Sequence, residues 1–302
     1  MARRTLVLTR FLGKLRGVSQ PILAETSDGR VMVVKFGANL HGPNLLFNEA
    51  MGSELYAAAG LAVPGWAPAV VGKKFLDDHP ACWPLVRSRP LRPEPGVVFA
   101  SNYIYAGAER VMQILPGSSL SRVERSEDFW LAWLIDVCAQ HTDHRQALFV
   151  EQHDRRLRAV FIDHGQMFGG PAGDHEPRFR ASRFLDSRLY PEPTPAVKEK
   201  LLRRVEAIDC EKLRSRAELL PERWKTPLAA GRFTACLGRL GRRSLLGNML
   251  DTLFEDCGQE ERQQDRAERF PAQPERHVGS EPGSQAAQPI RAETSEFGSR
   301  LA

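Results

Sequence analysis

Residues 141–165 decide the fold, and they read HTDHRQALFVEQHDRRLRAVFIDHG. The apolar runs 147–150 and 157–162 flank a polar turn, which predicts a short hairpin. Asp143 precedes the first strand, and Asp163 ends the second strand, twenty residues further along the chain. A carboxylate placed like Asp143 can accept the proton of an attacking hydroxyl, and one placed like Asp163 can bind Mg²⁺ across phosphates. The segment therefore predicts a kinase-type pair of catalytic and metal-binding aspartates.

A second hairpin is predicted near the N-terminus, where Ser27-Asp28-Gly29-Arg30 separates the β-prone runs 22–26 and 31–36. Lys35 lies at the apolar end of the second strand, where an ammonium group without a partner is costly. The segment 44–59 predicts a helix that carries Glu49 on a partly apolar face. We therefore expect Lys35 and Glu49 to pair, with their charges within about 4 Å. In a kinase, such a lysine contacts the α- and β-phosphates of the nucleotide.

The loop before this hairpin reads Gly17-Val18-Ser19-Gln20. Glycine and small polar residues in such a turn can direct backbone N–H groups at phosphate oxygens. The loop follows neither the GxGxxG nor the Walker pattern, and an ordinary turn is the alternative. We interpret Gly17, Ser19 and Gln20 as candidate nucleotide-binding residues because this loop precedes the four charged candidates in the order found in kinases.

These segments resemble the HipA-like kinases. The resemblance covers roughly residues 10–255, and it rests on GVSQ at 17–20, VKF at 34–36, NE at 48–49, GLAVP at 60–64, TDHRQALF at 142–149 and IDHG at 162–165. It implies a two-lobed protein-kinase-like fold, ATP and Mg²⁺ as cofactors, and serine or threonine of a protein substrate as acceptor. By the same resemblance, Asp143 is the catalytic base, Asp163 is the Mg²⁺ ligand, and Glu49 steadies Lys35 on the phosphates.

Two departures from the family pattern limit what the resemblance implies. Kinases usually place an asparagine metal ligand five residues after the catalytic aspartate, where this chain has Leu148. Gln146 is the candidate that replaces this ligand, through its side-chain carbonyl oxygen. Whether the chain has a second metal site and full activity stays an open question. The chain also starts almost at the nucleotide loop, without the small N-terminal subdomain of HipA toxins. A DNA-binding antitoxin partner is therefore not implied.

The order of predicted elements is α+β, because strands with one helix come first and helices follow. We divide the chain into a strand-rich, nucleotide-binding lobe at 1–117 and a helical lobe at 118–256 that holds the catalytic and metal loops. Helices are predicted at 126–140, 196–208, 211–219 and 244–254. From residue 257 the composition turns to Gln, Glu, Arg, Ser, Gly and Pro, which predicts a disordered tail at 257–302.

Composition excludes several classes of protein. The 302 residues are 42% hydrophobic and 26% charged, as in ordinary globular proteins. No apolar run is long enough for a membrane helix or a signal-peptide core, so we expect a cytoplasmic protein with no membrane partner. The five cysteines form no CxxC pair, which argues against a zinc site or a disulfide framework. The net charge of +5 fits an anionic ligand such as ATP.

The leading interpretation is an ATP-dependent protein kinase, and three alternatives stay open. A small-molecule or lipid kinase would share the layout, and the loop around Arg87, Arg89 and Arg92 would then meet an anionic substrate. A pseudokinase that binds a nucleotide or a partner is favoured by Leu148. A nucleic-acid-binding protein has only the net charge in its favour, since the sequence has no zinc-finger or RNP-like motif. Turnover of ATP separates the first two readings from the last two.

Overall fold

The structure is a computed structural model, and it describes residues 6–37, 42–104, 110–172 and 182–269, with side chains as far as Gly258. The first part of the chain is rich in strands. In chain order its elements are β1 (Leu6–Lys14), β2 (Ile22–Thr26), β3 (Val31–Lys35), α1 (Leu45–Ala58), β4 (Trp66–Val71), α2 (Lys73–Asp78), β5 (Leu85–Val86), β6 (Arg89–Pro90), β7 (Gly96–Asn102) and β8 (Val111–Met112).

Five of these strands close into a small barrel in the order β1-β2-β3-β7-β4. Neighbouring strands are antiparallel, except that β4 lies parallel to β1 and closes the barrel. The register pairs Ile22 with Val34, and Lys35 with Phe99. Consequently the β1–β2 loop, the end of β3 and the start of β7 all lie at one end of the barrel.

The predicted hairpin of β2 and β3 is confirmed, and its alternation explains how the barrel is filled. Ile22, Ala24 and Thr26 on β2 are buried, as are Met32 and Val34 on β3. Their neighbours along each strand are more exposed, as the two-residue period of a strand requires. The apolar members of this inward-facing set belong to a separate apolar cluster inside the barrel.

The predicted helix at 44–59 is also confirmed, as α1. Asn44 precedes it, but its side chain makes no capping hydrogen bond to the helix. The side-chain Oδ1 of Asn44 accepts instead from the Thr226 hydroxyl, 2.5 Å away. At the other end Gly60 has a φ of 74°, a left-handed conformation that glycine adopts without steric cost. Almost every residue of α1 is buried, so the helix belongs to the core rather than the surface.

The second part of the chain is mostly helical. The predicted hairpin is confirmed as β9 and β10, which form a three-stranded sheet with β8. Leu148 pairs with Val160, and Gln146 pairs with Ile162, so both aspartate-bearing segments lie at the same end of this hairpin. The elements are α3 (Glu127–Cys138), β9 (Gln146–Glu151), β10 (Leu157–Ile162), α4 (Pro195–Glu206), α5 (Cys210–Glu218), α6 (Pro227–Leu240) and α7 (Arg243–Arg269).

Helix α3 lies at the centre of the larger apolar core. Trp130 and Trp133 are fully buried and stack on each other, with ring centroids 5.8 Å apart. Tyr190 and Phe254 pack edge-on against Trp130 at 4.7 Å. Aromatic side chains in such contacts contribute much of the stability of a core. The core therefore joins α3 to the segments that come later in the chain.

The last helix extends past residue 257, where the tail was predicted to start. Helix α7 continues to Arg269, and Cys257 is buried within the core. The stripe of Leu246, Leu250, Leu253 and Cys257 continues the helical period past the predicted end. The polar residues that follow are good helix formers, and a composition that cannot form a core can still form a helix. Residues 270–302 of the predicted tail lie outside the described residues.

The described residues up to Glu261 belong to one compact unit, and the end of α7 from Arg262 to Arg269 lies outside it. The predicted boundary between lobes at 117 and 118 falls inside this unit and stays a prediction. Of the helices that the structure describes, none combines the length and the apolar character needed to cross a membrane.

Candidate active site

Three charged side chains from distant parts of the sequence meet at one end of the barrel. The Lys35 ammonium lies 2.5 Å from Glu49 Oε1 and 2.9 Å from Asp163 Oδ1. The predicted pairing of Lys35 and Glu49 is confirmed. The side chains of Lys35 and Glu49 are 8% and 3% exposed, whereas that of Asp163 is 35% exposed. Asp163 is therefore the member of this cluster that a ligand can reach.

The backbone around each residue explains why the cluster forms. Lys35 ends β3, and Glu49 lies in the second turn of α1. Asp163 follows β10 with a φ of 61°, a left-handed conformation that is uncommon outside glycine. Gly165 allows the close approach of α1, because a Cβ at this position would lie 2.8 Å from Glu49 Oε1. Gly52 does the same one turn later, since its Cβ would lie 2.5 Å from that of His164.

The charges of the cluster do not balance, because two carboxylates share one ammonium group. Burial acts to lower the pKa of Lys35, but Asp163 and Glu49 outweigh it and raise that pKa above its usual value. Burial likewise acts to raise the pKa of Asp163, but Lys35 holds that pKa below its usual range. Burial raises the pKa of Glu49 to about 7 against the pull of Lys35. With all three groups ionised, the cluster carries one net negative charge, which favours an additional cation.

Asn48 fixes the turn after Asp163 to α1. Its amide nitrogen donates to the carbonyl oxygens of Gly165 at 2.9 Å and Met167 at 2.7 Å. Next to it, the His164 N–H donates to Glu49 Oε2 at 3.4 Å. The sequence interpretation quoted Asn48 beside Glu49 but gave it no role. Its buried position within a largely apolar helix was the available signal.

A second buried ion pair lies behind the Asp163 turn. Arg145 donates from Nε to Asp136 Oδ2 at 2.8 Å and from Nη2 to Oδ1 at 2.6 Å. Its remaining nitrogen donates to the carbonyl oxygens of Ile162 and Asp163 at 3.1 and 3.2 Å. Tyr56 completes the group, because its hydroxyl donates to Asp136 at 2.7 Å. We call Asp136, Arg145 and Tyr56 the inner cluster, and it ties α3 and α1 to the segment that carries Asp163.

Asp143 lies on the loop between α3 and β9 and is exposed. Its Oδ1 accepts from the His144 N–H at 2.8 Å. Thr142, the residue before it, binds the Asp163 turn, since its N–H donates to the Gln166 carbonyl oxygen at 3.1 Å. The loop of Asp143 is thereby attached to the loop of Asp163, and its carboxylate is accessible to a substrate.

Gln146 and Leu148 lie on alternate positions of β9, so their side chains point to the same face of the strand. The Gln146 amide nitrogen donates to Asp163 Oδ2 at 3.3 Å. The two candidate metal-binding side chains, Gln146 and Asp163, are therefore adjacent. Leu148 is half-buried on that face and offers no ligand atom.

The β1–β2 loop holds the three candidate phosphate-binding residues. Gly17 has a φ of 138°, and Gln20 has a φ of 48° with its N–H donating to the Gly17 carbonyl oxygen at 3.0 Å. Ser19 is largely buried. The Gln20 side chain is already engaged, because its amide donates to the Leu85 carbonyl oxygen and accepts from the Leu85 N–H, both at 2.7 Å. Both the side chain and the backbone N–H of Gln20 are therefore engaged within the protein, and a phosphate contact from Gln20 would require one of these hydrogen bonds to break.

The fold has known counterparts among solved structures. The Helicobacter pylori proinflammatory kinase CtkA superposes with a TM-score of 0.52 at 12% sequence identity, over 80% of this chain and 95% of that one. The fold is protein-kinase-like. Two structures of the Golgi casein kinase, one with Mn/ADP bound, give a TM-score of 0.41 at 12% identity. They cover 85% and 82% of this chain, and 74% and 72% of theirs.

No family model matches the chain, and no curated protein is similar to it in sequence. The likeness to CtkA therefore concerns the fold, and the HipA-like relationship remains a prediction from the motifs. In the described part of the chain, no group of three or more His, Cys, Asp or Glu residues is arranged to hold a metal ion. The candidate metal site is of another kind, formed by the carboxylate of Asp163 and the amide of Gln146.

Proposed function

We propose that this protein is an ATP- and Mg²⁺-dependent phosphotransferase, and more specifically a HipA-like protein serine/threonine kinase. The observation that carries the proposal is the position of Lys35 between Glu49 and Asp163. A strand lysine, a helix glutamate and an aspartate after a later strand are the parts with which kinases hold a nucleotide.

The residues fit this role by their placement and charge. Lys35 lies level with the β1–β2 loop, since Ile22 pairs with Val34, so both can contact one set of phosphates. Glu49 keeps Lys35 in place from the buried side. The more exposed Asp163, with Gln146 beside it, would hold Mg²⁺. A bound Mg²⁺ would neutralise charge on the phosphate oxygens during transfer.

Asp143 is proposed as the catalytic base. It is exposed and lies on a loop attached to the Asp163 turn. From there its carboxylate would orient the acceptor hydroxyl and accept its proton. A serine or threonine of a protein is the proposed acceptor, and a small molecule is the alternative acceptor at the same site.

A pseudokinase is the second candidate function, and Leu148 is the observation that favours it. The residue that usually supplies an amide ligand is here an apolar, half-buried side chain on β9. A protein with this substitution would still bind the nucleotide through Lys35 and Asp163. Nucleotide binding without transfer of phosphate would distinguish this candidate from the kinase.

Thermal unfolding with ATP, Mg²⁺ and both together tests the proposal. A ligand that binds only the folded state adds about 2.7 kcal/mol to stability at a hundredfold excess over its dissociation constant. We expect Mg-ATP to raise the melting temperature of the wild type and to have a much smaller effect on Lys35→Met. The matched control is Lys198→Met, which removes a surface lysine paired with Asp251 at 2.6 Å. No stabilisation of the wild type by millimolar Mg-ATP would refute the proposed function.

Incubation with labelled ATP and Mg²⁺, with and without cell extract, then separates the two candidates. Label on a protein of the extract, or on this chain, supports the kinase. Stabilisation by Mg-ATP without any transfer to proteins or small acceptors supports the pseudokinase.

A further inference from the structure

A short basic hairpin lies at the same end of the barrel as Lys35. Strands β4 and β7 pair with Val71 opposite Gly96, so the segment between them leaves the barrel at the end of β4 and returns at the start of β7. Lys35, the last residue of β3, pairs with Phe99, so the end of β3 is directed towards the start of β7. The segment contains α2 and the β5–β6 hairpin, whose turn is formed by Arg87 and Ser88 with φ values of 50° and 63°.

Side-chain hydrogen bonds attach this hairpin to the candidate phosphate-binding loop. The Gln20 amide makes two hydrogen bonds to the backbone of Leu85, the first residue of β5. Lys14, at the end of β1, donates to the Trp83 carbonyl oxygen. The β5–β6 hairpin is therefore fixed beside the loop that contains Gly17 and Ser19.

The exposed side chains of this region include both cationic and apolar groups. Arg16 on the loop and Arg87 and Arg89 on the hairpin are exposed. Among the described residues, no carboxylate pairs with any of these three guanidinium groups. The apolar members are Val18, which is 68% exposed, and Leu85 and Leu91, which are each 44% exposed. We call these six residues the basic hairpin face.

The neighbouring arginine, in contrast, is paired with a carboxylate. Arg92 follows the hairpin and donates to Asp77 from two nitrogens, at 3.1 and 2.6 Å. Asp77 also accepts from Lys73, and Asp78 pairs with Lys74. The acidic side chains of α2 are thus already engaged, and the basic hairpin face keeps its positive charge.

We propose that the basic hairpin face binds an acidic segment of the protein substrate that also carries an apolar side chain. Arg87 and Arg89 can each bind a carboxylate in the two-pronged geometry of guanidinium groups. Leu91 lies on the same side of the hairpin as Arg89, and Val18 and Leu85 add exposed apolar area around the hairpin. The inference names a substrate class for the proposed kinase: protein segments with acidic residues near the acceptor hydroxyl. It therefore rests on the proposed function.

An acidic protein segment fits the face better than an anionic membrane does. A basic residue near an anionic lipid surface contributes roughly 1 kcal/mol, so three of them give only weak attachment. The exposed apolar side chains are three separate residues of moderate size on a loop and a short hairpin, not the continuous face of an amphipathic helix. A peptide needs less area, and two guanidinium groups can select it by charge.

Binding of a fluorescein-labelled peptide by the full chain tests the inference without relying on catalysis. The peptide has one serine and one leucine among glutamates, and its control has glutamines in place of the glutamates. We expect the wild type to bind the acidic peptide preferentially and more weakly as salt is raised. The double variant Arg87→Glu, Arg89→Glu should lose about tenfold or more in affinity.

The matched control is the double variant Arg155→Glu, Arg158→Glu. Arg155 also lies in a hairpin turn with positive φ, at 64°, but at the far end of β9 and β10 from Asp163. This control variant should bind the acidic peptide as the wild type does. Equal losses in both double variants, or equal binding of the two peptides, would overturn the inference, as would sedimentation with phosphatidylserine vesicles but no binding of peptide.

Stabilisation by Mg-ATP, measured on the same proteins, keeps the two proposals apart. The hairpin variant should respond to Mg-ATP as the wild type does, because neither arginine belongs to the nucleotide cluster. Retained peptide selectivity without any response to Mg-ATP would remove the kinase and leave an acidic-peptide-binding surface. A response to Mg-ATP without peptide selectivity would remove only the inference about the substrate.

Discussion

Two buried ionic clusters lie on either side of the Asp163 turn, and they differ in how completely their charges are satisfied. In the inner cluster, Arg145 and Asp136 make two hydrogen bonds to each other, and their side chains are 1% and 0% exposed. In the outer cluster, Lys35 is shared by two carboxylates, and Asp163 is partly exposed. The inner cluster is closed, whereas the outer cluster is open on one side and carries excess negative charge.

The difference indicates two distinct roles. A sealed, fully hydrogen-bonded pair can hold the loops of Asp143 and Asp163 in position but cannot exchange partners with a ligand. An open cluster with excess charge can give up a contact when a cation and phosphates arrive. We therefore expect changes in the inner cluster to affect folding, and changes in the outer cluster to affect ligand binding and phosphate transfer.

The largest expected effect comes from opening the inner cluster. Asp136→Ala leaves the Arg145 guanidinium buried without its carboxylate, and breaking a buried pair in this way costs about 3–5 kcal/mol. Chemical denaturation measures the loss. Glu127→Ala is the control on the same helix, because Glu127 pairs with Lys200 at the surface, and it should cost about 1 kcal/mol or less. Similar losses in both variants would contradict the structural role of the inner cluster.

The next largest effect separates the two aspartates of the site. We expect Asp143→Ala to lower phosphate transfer by roughly 10²–10⁴-fold, the usual contribution of a general base. Its melting temperature and its response to Mg-ATP should stay close to those of the wild type, because the side chain is exposed. Asp163→Ala should reduce the response to Mg-ATP as well, since it removes the proposed metal ligand.

Asp154→Ala serves as the control for both variants. Asp154 lies in the β9–β10 turn and pairs with Arg156, away from the Asp163 end of the hairpin. It should change neither transfer nor nucleotide binding. If Asp143→Ala transferred phosphate at the wild-type rate, its assignment as the base would be lost.

The sequence predicted the Lys35–Glu49 pair of the outer cluster, because both residues carry a local signal. Lys35 ends an apolar strand, and the Asp28-Gly29 turn fixes the register that brings it level with the β1–β2 loop. Glu49 lies on a helix whose other residues are mostly apolar. Charged residues in apolar surroundings need partners, and the candidate partners were few. The contact between Lys35 and Glu49 followed from that argument.

The inner cluster and several elements of the fold were not predicted, β1 and α6 among them. Asp136 lies within the apolar stripe of α3, but its partner could not be identified without the tertiary contacts that bury Arg145. Strand β1 has only Leu6-Val7-Leu8 as an apolar run and gains its partners by closing the barrel. Helix α6 contains Gly231 and Gly238, which weaken a helix, and its burial in the core compensates for them.

Acid pH provides a further test of the loop that carries Asp143. Burial is the main reason that the pKa of His141 falls to about 4, and Arg145 adds to it, while Asp136 and Asp163 oppose it. The folded protein thus keeps this ring neutral where the unfolded chain protonates it. The stability that results is present above pH 6.5 and is lost as the pH falls towards 4. At 1.36 kcal/mol per unit of pKa, the loss is roughly 2–3 kcal/mol.

The raised pKa of Glu49 makes the protein more stable as the pH falls over part of this range, which opposes the effect of His141. The contribution of His141 must therefore be measured as a difference between the wild type and a variant. The difference in unfolding free energy between the wild type and His141→Gln should shrink as the pH falls from 6.5 to 4. His153→Gln, which changes an exposed histidine of the β9–β10 turn, is measured alongside as the control for the substitution itself. A constant difference for His141→Gln would show that its ring titrates in the folded protein as it does in the unfolded chain.

The smallest expected effects concern the face of β9 that adjoins Asp163. Gln146 donates to Asp163 in the structure, and rotation of its amide would present the carbonyl oxygen to Mg²⁺ instead. Gln146→Ala should then raise the Mg²⁺ concentration needed for stabilisation by ATP by about tenfold or less. This is a milder form of the effect expected for Asp163→Ala. Melting temperatures over a titration of Mg²⁺ at fixed ATP measure this.

Leu148→Asn tests the same face in the opposite direction. Leu148 points to the same side of β9 as Gln146, so an asparagine there would restore an amide at the position where kinases usually have one. If the lost ligand limits metal binding, Leu148→Asn should lower the Mg²⁺ concentration needed for stabilisation by ATP, and it should compensate for Gln146→Ala in the double variant. If neither substitution changes the Mg²⁺ titration, the metal is held by Asp163 and the nucleotide alone, and the amide of Gln146 serves only to orient the Asp163 carboxylate.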